Sequence, residues 1–213
     1  MRSKFDEQLK QLNQELIHMG NMIEENIKDS IDAFVKQDVK AAQEIMSRDE
    51  QIDREQKIIE NMCFQLLIQQ QPVARDLRTI TAAMKMVTDM ERIGDHAADI
   101  SEMTILMSNH GHGEQIGTVV KMCTEALDML IQAIDAFVIG SMEKAEKVIE
   151  QDDRVDQLFL ETKNELIGLI REKPDAGEQE IDMLMIAKYL ERIGDHATNI
   201  AEWVIYALGN EKR

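Results

Sequence analysis

Pairs of carboxylates four residues apart recur along this 213-residue chain. Glu91 and Asp95 lie in the sequence ERIGDHA at residues 91–97, and the same seven residues return at 191–197 with Glu191 and Asp195. On an α-helix, residues four apart are separated by about 40° around the axis, so each pair projects from one helix face. Hard carboxylate oxygens grouped in this way predict a binding site for a metal ion.

A second set of acidic pairs stands earlier in each half of the chain. It comprises Asp49 and Asp53, then Asp152 and Asp156. Asp99 extends the first row, whereas Asn199 occupies the corresponding place in the second. If the helices that carry these pairs are antiparallel neighbours, each half presents four carboxylates to one site. We therefore predict two separate sites, one in each half, with unequal charge; Fe, Mn, Mg or Ca would suit them and Zn is possible. The alternative is that the rows are simply solvated.

The other residues of ERIGDHA are expected to play structural roles. His96 and His196 stand about 100° around the helix from the preceding Asp and should point away from the acidic row, unlike the Glu-x-x-His motif of di-iron proteins. We predict a hydrogen-bonding role for both, with a phosphoacceptor role as the alternative. Arg92 and Arg192 are expected to pair with nearby carboxylates, and the glycines at 94 and 194 to permit close helix packing.

Long helices must position these residues. Apolar side chains recur at steps of three and four residues almost throughout, aromatic residues make up only 4% of the chain, and there are two prolines. Breaks at 36–38, 69–72, 109–113, 139–142 and 173–177 divide the chain into six helices of roughly 25–35 residues.

A tandem duplication explains the order of these helices. IDAFV at 31–35 returns at 134–138, and RDEQID at 48–53 is matched by QDDRVD at 151–156. The sequence predicts an all-α protein of two pseudo-symmetric, antiparallel three-helix bundles, residues 1–109 and 114–213, joined around NHGHG. His110 and His112 are assigned to this linker. The apolar stripes predict packing of the bundles on each other, or dimerisation.

Composition narrows the function classes. A formal net charge of −17 argues against direct nucleic-acid binding, which depends on neutralising phosphates. Cys63 and Cys123 have no CxxC spacing and are expected to be buried, reduced thiols. Because no segment is apolar enough to span a bilayer, we expect a cytosolic, soluble protein that meets a membrane only through partners.

The two ERIGDH motifs, PVARDLR at 72–78, IAEWVIY at 200–206 and the duplicated layout together resemble the PhoU family of phosphate-signalling regulators. The resemblance implies a non-enzymatic, cytoplasmic homodimer that represses phosphate uptake and the phosphate-starvation response. It would link the ATPase subunit of the phosphate ABC transporter to a sensor histidine kinase. It also implies metal binding through E(D)xxxD motifs, with iron expected first, and Zn, Mn or Mg as alternatives, in sites that can be multinuclear. The implied ligands are Glu91, Asp95, Glu191 and Asp195, faced by Asp49, Asp53, Asp152 and Asp156.

Two questions stay open at the level of sequence. PVARDLR has no equivalent in the second half, so Arg75, Asp76 and Arg78 form either a charged docking surface or a salt bridge at a helix start. Other candidate functions are a metal-dependent, carboxylate-bridged enzyme, a helical phosphotransfer protein using His96 or His196, and a scaffold without metal.

Overall fold

The structure, a computed structural model, describes residues 2–69, 72–108 and 116–209. This part of the chain forms six long α-helices and contains no β-strand. The helices are α1 (Arg2–Lys36), α2 (Val39–Gln69), α3 (Ala74–Met107), α4 (Ile116–Ile139), α5 (Met142–Glu172) and α6 (Gly177–Leu208), with a short 3₁₀ turn at Pro174–Ala176. The predicted all-α architecture of two three-helix bundles is confirmed. Below, α1–α3 are the first half and α4–α6 the second half.

The corner between the first two helices is built alike in both halves. Gln37 and Gly140 adopt positive φ angles of 55° and 70°, a region that ends a helix and that only glycine enters without strain. The next residue then caps the following helix. The Asp38 carboxylate accepts from the backbone N–H groups of Lys40 and Ala41, both at 3.1 Å, and the Ser141 hydroxyl accepts from Lys144 at 3.2 Å.

The two halves share one hydrophobic core. Within each half the three helices pack on one another, and α3 also packs along α6 while α1 packs along α4. Contacts join His96 to Tyr189 and Asp89 to Asn199, so α3 and α6 run antiparallel. The apolar face of α1 packs into this core, where Leu12, Leu16 and Ile23 are fully buried. The predicted packing of one bundle on the other is therefore present.

Close helix packing places the acidic pairs. A Cβ atom at Gly94 would lie 3.0 Å from two side-chain carbons of Ile52 on α2. A Cβ at Gly194 would lie 3.2 Å from Oδ1 of Asp152 on α5. The predicted role of both glycines is confirmed, because a side chain at either position would push the acid-bearing helices apart.

Other sequence expectations have simple outcomes. Cys63 and Cys123 are free, buried thiols, as predicted, and burial raises the pKa of each to about 12. Across the described residues, no helix combines the length and apolar character needed to cross a membrane. The linker at 109–113, with His110 and His112, lies outside the described residues, so the structure does not test its role.

Candidate metal centre

The first acidic cluster forms where α2 crosses α3. Asp49, Asp53 and Asp95 each offer a carboxylate oxygen, and these three atoms all lie within 4.8 Å of one another. Partial burial, followed by the nearby Asp95, Asp53 and Asp99, raises the pKa of Asp49 to about 6. Burial and Asp95 likewise raise the pKa of Glu91. The donor set therefore fits a hard cation, which would relieve this repulsion and satisfy the oxygens.

One arginine partly compensates this cluster from outside. Arg92 places its Nε 3.5 Å from Glu91 and its Nη1 3.2 Å from Asp95, which confirms the predicted local pairing for this residue. The Arg92 side chain is 59% exposed, so water screens its charge.

The second acidic cluster lies where α5 crosses α6 and contains Asp152, Asp156, Glu191 and Asp195. Burial, then Asp156 and Asp195, raises the pKa of Asp152 to about 6, and burial with Glu191 raises that of Asp195. Here a lysine takes part: Lys188 is hydrogen-bonded to Glu191 and opposes the rise in the pKa of Asp195. No trio in this cluster meets the 4.8 Å spacing, within the described ranges 2–69, 72–108 and 116–209.

Asp49 and Asp95 of the first cluster and Asp195 of the second line one cleft of about 610 Å³ between the halves. The sequence predicts two separate sites, but the antiparallel packing of α3 on α6 brings the two ERIGDHA motifs face to face. Residues of both halves line the cleft: Asp49, Arg92, Asp95, His96, Ala98 and Asp99 from the first half, and Arg192, Asp195, His196 and Asn199 from the second. The two halves thus share the cleft, but Glu91 and Glu191 are not among its lining residues.

Both histidines line this cleft and take part in the contact between α3 and α6. His196 Nδ1 lies 2.9 Å from a carboxylate oxygen of Asp89 on α3, and the same oxygen accepts from the Asn199 amide at 3.2 Å. His96 Nδ1 lies 2.9 Å from Asp99.

The His96 ring also stacks on Tyr189 of α6, with centroids 5.5 Å apart. The predicted hydrogen-bonding role is confirmed for both histidines. The expectation that both histidines point away from the row is wrong for His96, because Asp99 is three residues along the same helix and therefore a neighbour of His96 on its surface. Asn199, placed by the sequence in the second acidic row, donates across the interface.

Two residues of this contact lie outside the motifs and the sequence analysis missed them. Asp89 and Tyr189 occupy corresponding positions, two residues before each ERIGDHA. A signal existed: Asp89 follows Met86 by three residues and precedes Ile93 by four, and both of those residues are fully buried. A carboxylate in the buried stripe of a helix indicates a specific partner.

The structure assigns a helix-start role to one of the three charged residues of PVARDLR, Asp76. The Asp76 carboxylate accepts from the backbone N–H of Val73 at 3.3 Å and so helps to begin α3. Arg75 lies exposed and Arg78 half-buried near this helix start. A docking role for the three residues stays a prediction.

The structure defines an all-α protein of two similar three-helix halves with an acidic cluster in each, and comparison with known proteins specifies its family. The sequence profile of the PhoU domain matches residues 16–104 and again 119–204. The chain therefore belongs to the PhoU family.

Individual relatives agree along nearly the whole chain. A phosphate-specific transport system accessory protein PhoU homolog of Clostridium acetobutylicum is 39% identical over 208 residues, which cover 97% of this chain and 95% of that protein. The homolog of Pseudomonas aeruginosa is 32% identical, covering 95% and 84%.

Solved structures show the same fold. The crystal structure of PhoU from Pseudomonas aeruginosa superposes with a TM-score of 0.91 at 32% identity, covering 96% of this chain and 99% of that one. The phosphate transport system regulatory protein PhoU of Streptococcus pneumoniae gives a TM-score of 0.88 at 28% identity, covering 97% and 98%. The chain is thus an accessory protein of phosphate transport.

Proposed function

We propose that this chain is a metal-binding adaptor that represses phosphate uptake and the phosphate-starvation response. It would act in the cytoplasm, contacting the ATPase subunit of the phosphate ABC transporter and a sensor histidine kinase. The observation that carries the proposal is the pair of acidic clusters, each formed by two helices, in a chain that belongs to a family of transport accessory proteins.

The metal would be held by the carboxylates that converge in each half. In the first half these are Asp49, Asp53, Glu91 and Asp95, with Asp99 at the edge; in the second half they are Asp152, Asp156, Glu191 and Asp195. Iron is the first candidate, with Mn, Mg and Zn as alternatives, and more than one ion per cluster fits this number of oxygens. The bound metal would supply positive charge that fixes the helices of each half.

The proposed partners follow from the transport role and from charge. A protein of net charge −17 has little attraction for nucleic acid and needs partner proteins to reach a membrane. We also propose that the chain forms a homodimer, which light scattering of the purified protein tests directly.

The phosphotransfer alternative receives less support at His96. A phosphotransfer protein needs an accessible ring nitrogen, but the His96 side chain is 8% exposed and its Nδ1 is already engaged by Asp99. If His96→Ala/His196→Ala folds and still represses, the phosphotransfer alternative is excluded; loss of repression with metal retained would favour it.

Metal content and repression can be measured on matched variants. The test variant is Glu91→Ala/Asp95→Ala/Glu191→Ala/Asp195→Ala. The control, Glu146→Ala/Glu150→Ala/Glu161→Ala/Glu165→Ala, removes two exposed pairs of the same spacing from α5. Each is dialysed, analysed for metal by mass spectrometry, and expressed in cells that lack the chain and carry a phosphate-starvation reporter.

We expect the wild type and the control to retain metal and to repress the reporter at high phosphate, and the test variant to lose both. Equal metal content in all three proteins would contradict the metal sites. Failure of the wild type to restore repression would contradict the regulatory function.

A further inference from the structure

A groove runs along the junction of α1 and α4, where no metal cluster lies. One stretch of it, about 350 Å³, is lined by residues such as Ile31, Val120 and Leu127, and a second, of about 230 Å³, by Ile17, Gly20 and Ile134. Ile131 lines both stretches. The groove residues of α1 fall within about a 100° arc of that helix, so the two stretches form one continuous groove.

The groove is apolar at its base and polar at its edges. Leu127 and Ile31 are buried, whereas Ile17, Val120 and Ile131 are 40%, 39% and 39% exposed. The helices are close at Gly20, where a Cβ atom would lie 2.6 Å from Cδ1 of Ile134 on α4. An apolar base with half-exposed aliphatic walls is the geometry that accepts the apolar face of another helix.

The length of the groove matches a helix of about four turns. It extends from Ile17 to Ile31 on α1, and 14 residues at 1.5 Å each give roughly 21 Å. A helix of that length offers apolar side chains at steps of three and four residues along one face.

Charge at the rim selects the kind of helix. Lys28 pairs with Glu24 and Lys144 with Asp135, so these charges are compensated. Asp128, by contrast, accepts from the neutral side-chain amide of Gln151 at 3.1 Å.

The residues that line the groove include three acids, Glu24, Asp128 and Asp135, and one base, Lys28. A second copy of this chain would bring the same acidic surface against it, so like charges disfavour self-association here.

We infer that the α1–α4 groove binds an amphipathic helix with basic flanks from a partner protein. This rests on the proposed adaptor function, which requires a docking surface, but it involves neither the cleft nor the acidic clusters. The partner helix would place its apolar side chains against Ile17, Ile131 and Val120, with lysine or arginine facing Asp128.

A designed peptide tests the inference without metal or kinase. The probe is a fluorescein-labelled 16-residue peptide with leucines at helical spacing on one face and lysines on its flanks. A control peptide carries glutamate in place of every lysine. Binding is followed by fluorescence anisotropy against the wild-type protein and three variants, in buffer containing a chelator.

Ile131→Asp and Thr124→Arg alter the groove at exposed positions. The matched control is Ile58→Asp on α2, since Ile58 is 48% exposed and lines neither stretch of the groove. We expect the basic peptide to bind the wild type and Ile58→Asp equally, and the Kd to rise at least tenfold for both groove variants. Circular dichroism melting confirms that each variant is folded, and Thr124→Arg keeps the test valid if Ile131→Asp is not.

Several outcomes would overturn the inference. These are equal binding of the acidic peptide, no binding of the basic peptide, unchanged binding by folded groove variants, or an equal loss in Ile58→Asp. A wild-type dimer that becomes monomeric in Ile131→Asp would show that a second copy occupies the groove. Because metal content and repression are measured separately, failure of this test leaves the proposed regulation standing, and the reverse also holds.

Discussion

The two acidic clusters share a backbone arrangement and differ in one counter-charge. In the second half Lys188 bonds to Glu191, whereas the corresponding residue of the first half is Thr88, which bonds back to its own helix at Met84. The first cluster alone, within the described residues, brings three carboxylate oxygens within 4.8 Å of one another. Both halves therefore have the carboxylates, and the second has a lysine where the first has a threonine. On this basis we expect the first cluster to be the one more available to a metal ion.

The histidine contacts show a second divergence. His96 bonds to Asp99 of its own helix and stacks on Tyr189, whereas His196 bonds across the interface to Asp89. Position 189 is Tyr where 89 is Asp, and position 199 is Asn where 99 is Asp. Each histidine thus keeps one carboxylate, and α3 supplies both: Asp99 to His96 within the helix, and Asp89 to His196 across the interface. The neutral Asn199 thus contacts the charged Asp89 across the interface.

Removing the carboxylate that joins the halves should have the largest effect. Asp89→Ala deletes the acceptor that His196 and Asn199 share. The Asp89 side chain is only 16% exposed. We expect the free energy of unfolding to fall by about 2–3 kcal/mol, because the substitution removes a hydrogen-bonded carboxylate and leaves His196 and Asn199 without their acceptor. Urea unfolding of Asp89→Ala beside Asp99→Ala measures this. An equal effect of the two would contradict the distinction between the interface contact and the contact within one helix.

A methyl group at Gly94 should have the next largest effect. Gly94→Ala would place a Cβ 3.0 Å from two carbons of fully buried Ile52, and we expect a net loss of about 1–2 kcal/mol. Gly194→Ala should cost less, since its tightest contact is a partly exposed carboxylate oxygen of Asp152 at 3.2 Å. Thermal melting of both variants makes the comparison. A larger loss for Gly194→Ala would show that the second crossing is the tighter one.

Removing the lysine should make the clusters more alike. Lys188→Thr places the residue of the first half in the second, so we expect Mn²⁺ to bind the second cluster about tenfold more tightly. Titration calorimetry in the background Glu91→Ala/Asp95→Ala isolates that cluster. Unchanged affinity would mean that Lys188 does not limit cation binding.

The pH dependence of the chelated protein should show the smallest effect. The folded-state pKa of Asp49 is raised from 3.8 to about 6, so the folded state binds more protons than the unfolded state between these values. This residue therefore contributes a loss of stability as the pH rises from about 4 to about 6. Asp49→Asn should be more stable than the wild type at pH 7, on the order of 1 kcal/mol after solvent screening, and equal to it below pH 4.

Unfolding in denaturant at pH 3.5 and pH 7 checks this sign. Greater stability of the wild type than of Asp49→Asn at pH 7 in chelator would contradict crowding of carboxylates. Adding Mn²⁺ should reverse the order, because only the wild type presents the complete cluster.

The fold could be predicted from the sequence because its determinants are local. Apolar spacing at three and four residues defines the helices, and the duplicated IDAFV and ERIGDHA segments define two equivalent halves. The convergence of Asp49 and Asp53 with Asp95 follows from antiparallel neighbours joined by a short turn.

The cleft could not be predicted, since it depends on how one half packs on the other. Packing of α3 on α6 turns the two motifs toward each other and pairs His196 with Asp89, a residue that the motif does not include. Nothing in the spacing of either motif specifies the register between them. The α1–α4 groove has the same origin, because α1 belongs to the first half and α4 to the second.

Metal titration of two half-specific variants tests the central claim most directly. Chelated wild type, Glu91→Ala/Asp95→Ala and Glu191→Ala/Asp195→Ala are titrated with Mn²⁺ by calorimetry. We predict that the wild type shows a tighter and a weaker class of site, that the first variant loses the tighter class, and that the second loses only the weaker. Identical isotherms for all three proteins, or loss of the tighter class in the second variant, would contradict metal binding led by the first cluster.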